Sequence, residues 1–503
     1  MTPAGRTAAP RGSPGGGHAY DEPVASDSVA QGGAGVATRQ AGALSGFPRR
    51  VTRVSCGAGF IPVTRAVSRS VNARCRYAAP LIVVLMALGG GPPPAAAAGF
   101  PGSPGNDATA LITTDVSGAA ADCPSGAAAA SSDGRYVAFS SCAHKITPES
   151  TGTTNQVYLR DRQTGDTSLV SANAAGTGAG NCDSGGYGDG YDSVAISATG
   201  RYIVFASCAT DLTASHPAGV CQWQVYERDT VAHTTVLIST GQGSGYQCSG
   251  YPYQHAGQVA VSADGDHVVF NTARPTSQPY VDEWDVFERN VEEGTTLLVS
   301  SNRCTGIAGG LDVSDSGRYV AFGNCGRPPN CPTCANLVGY TYRRDMSTGA
   351  IEMVSVNSTG GSVATGYLLF SGYGPVSMSG DGRYVTFSES GEYNSTNLFV
   401  RDLQLGSTYQ VGPATYWNRD RCWGAMPLSS DGHAVGFSCS IVNGRYEVYH
   451  EDLRTGLTEL VSASYYETAS GCDSRAMSLS GDGSHVLFSS CATDITAVPV
   501  DSN

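Results

Sequence analysis

The sequence predicts an all-β fold, a seven-bladed β-propeller of four-stranded antiparallel blades, and three observations carry that prediction. First, Ser131-Ser132-Asp133-Gly134-Arg135-Tyr136-Val137-Ala138-Phe139 recurs as Ser197-Ala198-Thr199-Gly200-Arg201-Tyr202-Ile203-Val204-Phe205. It recurs again around Asp264-Gly265, Ser316-Gly317, Asp381-Gly382, Asp431-Gly432 and Asp482-Gly483. Second, another phrase follows at a distance: Val157-Tyr158-Leu159-Arg160-Asp161, a Thr164-Gly165 turn, then Ser168-Leu169-Val170-Ser171. Third, both phrases alternate in the period-two manner of strands and are rich in β-branched and aromatic residues. Repeats built of short strands and tight turns point to a propeller or solenoid.

Each unit reads as four strands, A to D. Strand A is a short apolar segment such as Val194-Ala195-Ile196, Val259-Ala260-Val261 or Val376-Ser377-Met378. A Ser-x-Asp-Gly turn follows, in which glycine supplies the positive φ of a tight hairpin. Strand B is Arg-Tyr-Val-x-Phe. Strand C follows a variable connection, as in Val225-Tyr226-Glu227-Arg228-Asp229 or Leu398-Phe399-Val400-Arg401-Asp402. A short turn such as Thr455-Gly456 leads to strand D, as in Thr458-Glu459-Leu460-Val461.

Full units begin near Ala127, Ser193, Gln258, Leu311, Pro375 and Ala425, and a seventh begins at Ala476 and stops after strand B. Ala110 to Ser117 matches strand D with no unit before it, so the N-terminal strand is expected to close the ring as the outer strand of the last blade. That blade is expected to lack strand C. Ala497-Val498-Pro499-Val500 is a poor substitute, because proline cannot donate to a central ladder. Truncation and an imperfect blade are the two readings of this end.

Composition narrows the function classes. The chain has 503 residues, 16 cysteines and a formal net charge of −13. Residues 1–98 are arginine-rich, so the remainder is close to −20, with Lys145 its one lysine. An acidic body argues against nucleic-acid binding, which needs a basic footprint. Residues 1–72 show no sustained period and read as a disordered or mis-assigned extension. Residues 73–98 read as a secretory signal peptide: Arg74 and Arg76, an apolar run from Ala78 to Gly90, then Pro92-Pro93-Pro94 and Ala96-Ala97-Ala98. An uncleaved anchor is the rival reading, although the run is short for a membrane span. Residues 99–107 form a linker, and 108–503 the propeller. The expected location is secreted, or a periplasm equivalent, with no stable membrane span after cleavage and a monomeric state.

In a four-stranded meander the A–B and C–D turns lie at one end, and the B–C and D–A connections at the other. The second end holds nearly all the length variation and most cysteines, so function is expected there. The geometry pairs Cys123–Cys142, Cys182–Cys208, Cys221–Cys248, Cys304–Cys325, Cys422–Cys439 and Cys472–Cys491, with Cys331–Cys334 added, as disulfides of an oxidising compartment. A zinc site at Cys325, Cys331 and Cys334 is the rival. The D–A connections are rich in aromatics. Tyr191, Tyr251, Tyr253, His255, Tyr373, Trp417, Trp423 and Tyr465 are the ligand-binding candidates, with packing beneath the loops as the competing reading. Asp183, Asp189 and Asp192 lie in a Gly/Asp-rich stretch that weakly suggests calcium, although its spacing matches no calcium loop. No cofactor is expected.

The turn aspartate is expected to cap its own hairpin. The Arg-Asp pair closing strand C (Arg160-Asp161, Arg228-Asp229, Arg401-Asp402) is expected to be a structural bond, because it repeats. His267, His433 and His485 fall in strand B slots. No nucleophile elbow, zincin helix or phosphate loop occurs. A carboxylate pair on the loop end stays open, from Asp183, Asp189, Asp282, Glu283, Asp285, Glu389 or Glu392.

The two phrases together resemble the TolB-type, WD-repeat-like β-propeller of bacterial exported proteins, over about residues 108–503. They differ from the sialidase Asp-box, which places glycine two residues after aspartate. The resemblance implies a fold. There is no room for TolB's N-terminal α/β domain, so a role in the Tol system is not implied, and nothing resembles an attached peptidase domain. Three functions follow as expectations. The first is a non-catalytic propeller binding an envelope protein or an extracellular polysaccharide through its long loops. The second is a polysaccharide lyase or glycoside hydrolase using a loop acid with Tyr253 or His255. The third is a ligand-free structural remnant.

Overall fold

The computed structural model describes residues 109–149, 154–186, 193–214, 222–240, 246–247, 258–275, 282–300, 304–305, 310–326, 338–357, 360–361, 366–367, 376–390, 396–412, 422, 426–440, 445–463, 472–493 and 495. The extension, signal and linker proposed for residues 1–107 lie outside them. Among the described residues every element is a strand, and no helix is long and apolar enough to cross a membrane.

The chain is a β-propeller of six antiparallel blades, closed by a two-stranded hairpin. Blade 1 comprises Ser125–Ala130, Tyr136–Ser141, Gln156–Asp161 and Thr167–Leu169. Blade 2 comprises Val194–Ile196, Tyr202–Ser207, Gln222–Asp229 and Thr234–Leu237. Blade 3 comprises Val259–Val261, His267–Pro275, Asp282–Asn290 and Thr295–Leu298, and blade 4 Leu311–Val313, Tyr319–Gly326, Val338–Asp345 and Ile351–Met353. Blades 5 and 6 keep strands B to D: Tyr384–Ser390, Thr396–Asp402 and Ser407–Val411, then Ala434–Ser440, Tyr446–Asp452 and Leu457–Leu460. Their strand A shrinks to isolated bridges, Met378 to Val385 and Leu428 to Val435. Local chemistry explains both cases. Thr386 Oγ1 takes the N–H of Ser377 at 2.8 Å, and Pro427 has no N–H to give.

The expected seventh blade is therefore corrected to a hairpin, Ser474–Leu479 with Val486–Ser490. No strand C joins it among the described residues. Residues 110–117 form no ladder strand there either; they show one bridge, Thr114 to Ala120. A strand D needs a strand C inboard of it, and none is described.

Ring closure is nonetheless continuous at the axis. The residue after the first serine of each Ser-x-Asp-Gly turn donates its N–H to the same position of the next turn. The chain of bonds runs Ser132 to Ala198, Ala198 to Ala263, Ala263 to Asp315, Asp315 to Gly380, Gly380 to Ser430 and Ser430 to Gly481, at 2.7–3.1 Å. Asp482 N–H returns to the Ser132 carbonyl at 2.9 Å. Seven turns thus form one closed circuit, which leaves few unpaired backbone groups at that end.

Each turn is also built internally. Ser131 Oγ donates to Asp133 Oδ1 at 2.7 Å and accepts Tyr136 N–H at 2.9 Å, while Asp133 Oδ1 accepts Arg135 N–H at 3.0 Å. The aspartate caps its own hairpin as expected. In blade 2, with Thr199 in that place, Ser197 Oγ still accepts Tyr202 N–H at 3.0 Å.

The Arg-Asp pairing needs correction. Successive strand residues point to opposite sides, so Arg160 and Asp161 do not meet. Asp161 instead takes a bidentate pair from Arg135 of strand B at 3.0 and 2.7 Å, and Arg160 donates to Thr167 of strand D at 2.9 Å. Arg201–Asp229 and Arg383–Asp402 repeat the first arrangement. The guanidinium partner holds Asp161 and Asp229 down at about 2.

The core lies between blades. A strand B phenylalanine (Phe139, Phe205, Phe270, Phe322, Phe387, Phe437 or Phe488) is fully buried in every unit. In six units it faces a strand C aromatic, with ring centroids 5.3–6.1 Å apart.

Candidate functional site

The strand A segments line an axial cavity of about 240 Å³. Most of its lining residues are small: the column that runs Ala129, Ala195, Ala260 becomes Asp312 in blade 4 and Ser377 in blade 5. Asp312 Oδ2 accepts Ser377 Oγ–H at 3.1 Å and Met378 N–H at 2.7 Å, clipping blade 4 to blade 5. Asp315 sits at the turn end, where its Oδ2 accepts Ser430 Oγ–H at 2.7 Å. The lining holds serine hydroxyls and these two carboxylates, and no histidine, cysteine, lysine or arginine. Sequence reading passed over both carboxylates, although an acid in a column of alanines was the signal that could have found them.

The opposite end is pinned by disulfides. Cys123–Cys142, Cys182–Cys208, Cys422–Cys439 and Cys472–Cys491 each tie the start of strand A to the end of strand B, with Cα–Cα distances of 4.0–5.4 Å. These are four of the expected pairs. Cys221–Cys248 and Cys331–Cys334 lie outside the described residues, as do the side chains of Cys304 and Cys325. Alkylation without reduction should leave the eight paired cysteines unmodified, and reduction should expose them. A mass spectrum showing any of the eight alkylated in the unreduced protein would contradict the pairing.

All eight ligand-binding candidates, Tyr191, Tyr251, Tyr253, His255, Tyr373, Trp417, Trp423 and Tyr465, lie outside the described residues. Asp189, Asp192 and Glu392 do too. Asp183 is described, and its role is structural. Its Oδ1 accepts Asn155 N–H at 2.7 Å and its carbonyl accepts Cys208 N–H at 3.0 Å. Burial raises its carboxyl above the usual range. Asp473 makes the equivalent tie, accepting Tyr446 N–H at 3.0 Å. The two aspartates each follow a disulfide cysteine and hold strand C of the preceding blade. Asp282, Glu283 and Asp285 stand at the loop end of strand C of blade 3, with Asp285 opposite Thr272 and 2% exposed. Glu389 is likewise in strand B of blade 5, opposite Asn397. Among the described residues no three His, Cys, Asp or Glu side chains converge on a possible metal position.

Ionisable groups occupy one repeated place in strand C. Glu227, Glu288, Arg343 and His450 stand there, where blades 1 and 5 carry Leu159 and Val400. Glu288 meets His267 Nδ1 at 2.5 Å, which raises the imidazole. Burial lowers His450 to about 4, so its ring is neutral. Glu227 is 4% exposed, and its Oε2 has no hydrogen-bond partner. Burial first, then Asp266 and Asp229, push its carboxyl up to about 8.

No protein-family model matches the sequence, and no curated protein matches it. Among solved structures the chain is similar to TolB from Acinetobacter baumannii at 12% identity and a TM-score of 0.36, over 67% of this chain; it spans 59% of TolB's length. It is similar to oligogalacturonate lyase from Vibrio parahaemolyticus at 10% identity and a TM-score of 0.43, over 72% of this chain and 88% of that one. It is also similar to the β-propeller domain of the trilobed protease from Pyrococcus furiosus at 14% identity and a TM-score of 0.39, over 66% and 81%. Likeness at this level says nothing about activity. The blades seen here fit the propeller repeat read from the sequence.

Proposed function

We propose that the chain is an exported, non-catalytic binding propeller that meets an envelope protein or an extracellular polysaccharide through its long-loop end. The contrast between its two ends supports this reading. One end is tied together by the circuit of turn hydrogen bonds. The other carries four disulfides that fix the roots of variable, aromatic-rich connections. Loops anchored on a rigid scaffold are the usual seat of recognition. The disulfides belong with an oxidising compartment, and export by residues 73–98 is part of the proposal. Large aromatics on such loops would stack on sugar rings or peptide side chains.

Co-sedimentation of the exported protein with insoluble polysaccharides and with cell-envelope fractions tests this. Retention is expected on one of them. Trp417→Ala with Trp423→Ala should weaken it at least tenfold while circular dichroism stays unchanged. Unchanged retention would remove those residues from the site, and no retention by folded protein would overturn the proposal.

A further inference from the structure

The strand C place that holds Glu227 faces the turn of the next blade. In blade 4 its Arg343 donates Nη1–H to the carbonyl of Gly382, the turn glycine of blade 5, and pairs with Glu352. In blade 6 its His450 is hydrogen-bonded to the main chain of Gly483, the turn glycine of the closing hairpin. In blade 3 Glu288 meets His267. Each of these three seams sets a nitrogen donor among its acceptors.

The seam between blades 2 and 3 gathers acceptors alone. Glu227 lies opposite Val204 as Arg343 lies opposite Ala321 and His450 opposite Gly436, so it is directed at the Gly265 turn. Its Oε2 is buried without a hydrogen-bond partner. The Gly265 carbonyl, counterpart of that of Gly382, accepts no hydrogen bond among the described residues. Asp266 follows it in the turn. Other turns carry arginine at that place (Arg135, Arg201, Arg318, Arg383) or else His433 and Ser484. The Asp266 carboxylate forms no ion pair and accepts no hydrogen bond among the described residues. Asp266 and Asp229 are the charges that act on Glu227, and Asp229 is already held by Arg201.

Two departures from the repeat therefore meet at one seam: an acid where blades 1 and 5 have leucine and valine, and an acid where four turns have arginine. Buried acceptors without a donor are costly. A positive charge from outside the chain would satisfy all three groups at once. We propose that Glu227, Asp266 and the Gly265 carbonyl hold a divalent cation of the calcium class, in the place to which Arg343 brings its guanidinium in blade 4. Calcium takes carboxylate and main-chain carbonyl oxygens and fills its shell with water. Half-buried Asp266 leaves one side for that water. Zinc and copper favour nitrogen and sulfur, which none of the three groups supplies. Two carboxylates and one carbonyl make a sparse set, so a Kd of about 0.1–1 mM is expected. With the cation chelated, a proton on Glu227 relieves the seam.

The test is equilibrium dialysis of radioactive calcium against the full-length protein at pH 8, beside Glu227→Gln and Asp266→Asn. Wild type should take up one ion per chain more than either variant. Adding about 10 mM calcium to chelator-treated protein should raise the wild-type Tm by roughly 2–4 °C and leave each variant's almost unchanged. Circular dichroism checks that the variants fold, and Asp266→Asn, at a half-buried turn position, carries the comparison if Glu227→Gln does not. Equal uptake by wild type and a folded variant, or an equal Tm rise, would overturn the proposal. Calcium uptake is read without glycan or envelope, so this inference and the long-loop reading fail separately.

Discussion

Gly265→Ala is expected to destabilise the propeller by about 2–5 kcal/mol, measured as a shift in urea unfolding. Two costs combine. Gly265 has φ +93°, where a Cβ atom costs about 1–2 kcal/mol. That Cβ would also lie 2.2 Å from Cδ2 of Tyr202 in the preceding blade, and overpacking of this kind costs about 1–3 kcal/mol. Gly456→Ala separates the terms, because Gly456 has φ +69° and nothing within 4 Å of the added atom. It should show the backbone cost alone. In a Tyr202→Ala background, Gly265→Ala should fall to the cost of Gly456→Ala, since only contacting residues couple. If the two alanine variants cost the same in the wild-type background, the stacking of strand B rings on the next blade's turn is wrong.

That stacking explains why the blades were legible. Tyr136 packs on Gly200, Tyr202 on Gly265, Tyr319 on Gly382 and Tyr384 on Gly432, and His485 closes the series on Gly134. Each residue of Ser-x-Asp-Gly-Arg-Tyr has one structural task, repeated around the ring, so the motif reports the fold directly. The cysteine pairs were legible for a related reason. Antiparallel strands A and B return to the same end, and residues just outside them must be close.

What failed depended on partners not adjacent in sequence. Residues 110–117 alternate like a strand D, but a ladder also needs the strand inboard of it, so the blade count came out one too high. Arg160 and Asp161 are neighbours in the chain and point apart in the strand. The role of Asp312 is set by Ser377 and Met378 of another blade. The binding candidates fall on connections that do not repeat, where the blade pattern offers no guide to placement.

Glu227 shows how a single departure from the repeat becomes measurable. Its position holds leucine or valine in blades 1 and 5, and in blade 3 the equivalent Glu288 has His267 as a partner. Glu227 has neither remedy, so the fold keeps it protonated, with a carboxyl at about 8 against an ordinary 4.5. Folded protein therefore retains a proton that the unfolded chain releases, and stability must fall as pH rises from about 4.5 to 8. The size by pH 8 is on the order of 3–5 kcal/mol. Glu227→Gln removes the proton linkage and keeps the shape. It leaves a buried amide, a pH-independent cost of about 1–3 kcal/mol. The variant should be no more stable than wild type at pH 5 and clearly more stable at pH 8, so the two stability curves cross between. His267, whose pairing with Glu288 raises it, contributes in the same direction, because its partner is lost as the imidazole deprotonates. That contribution is common to both proteins and cancels in the comparison. Parallel curves for wild type and Glu227→Gln from pH 5 to 8 would show that the carboxyl is ionised in the folded protein, and that water reaches a place the packing closes off.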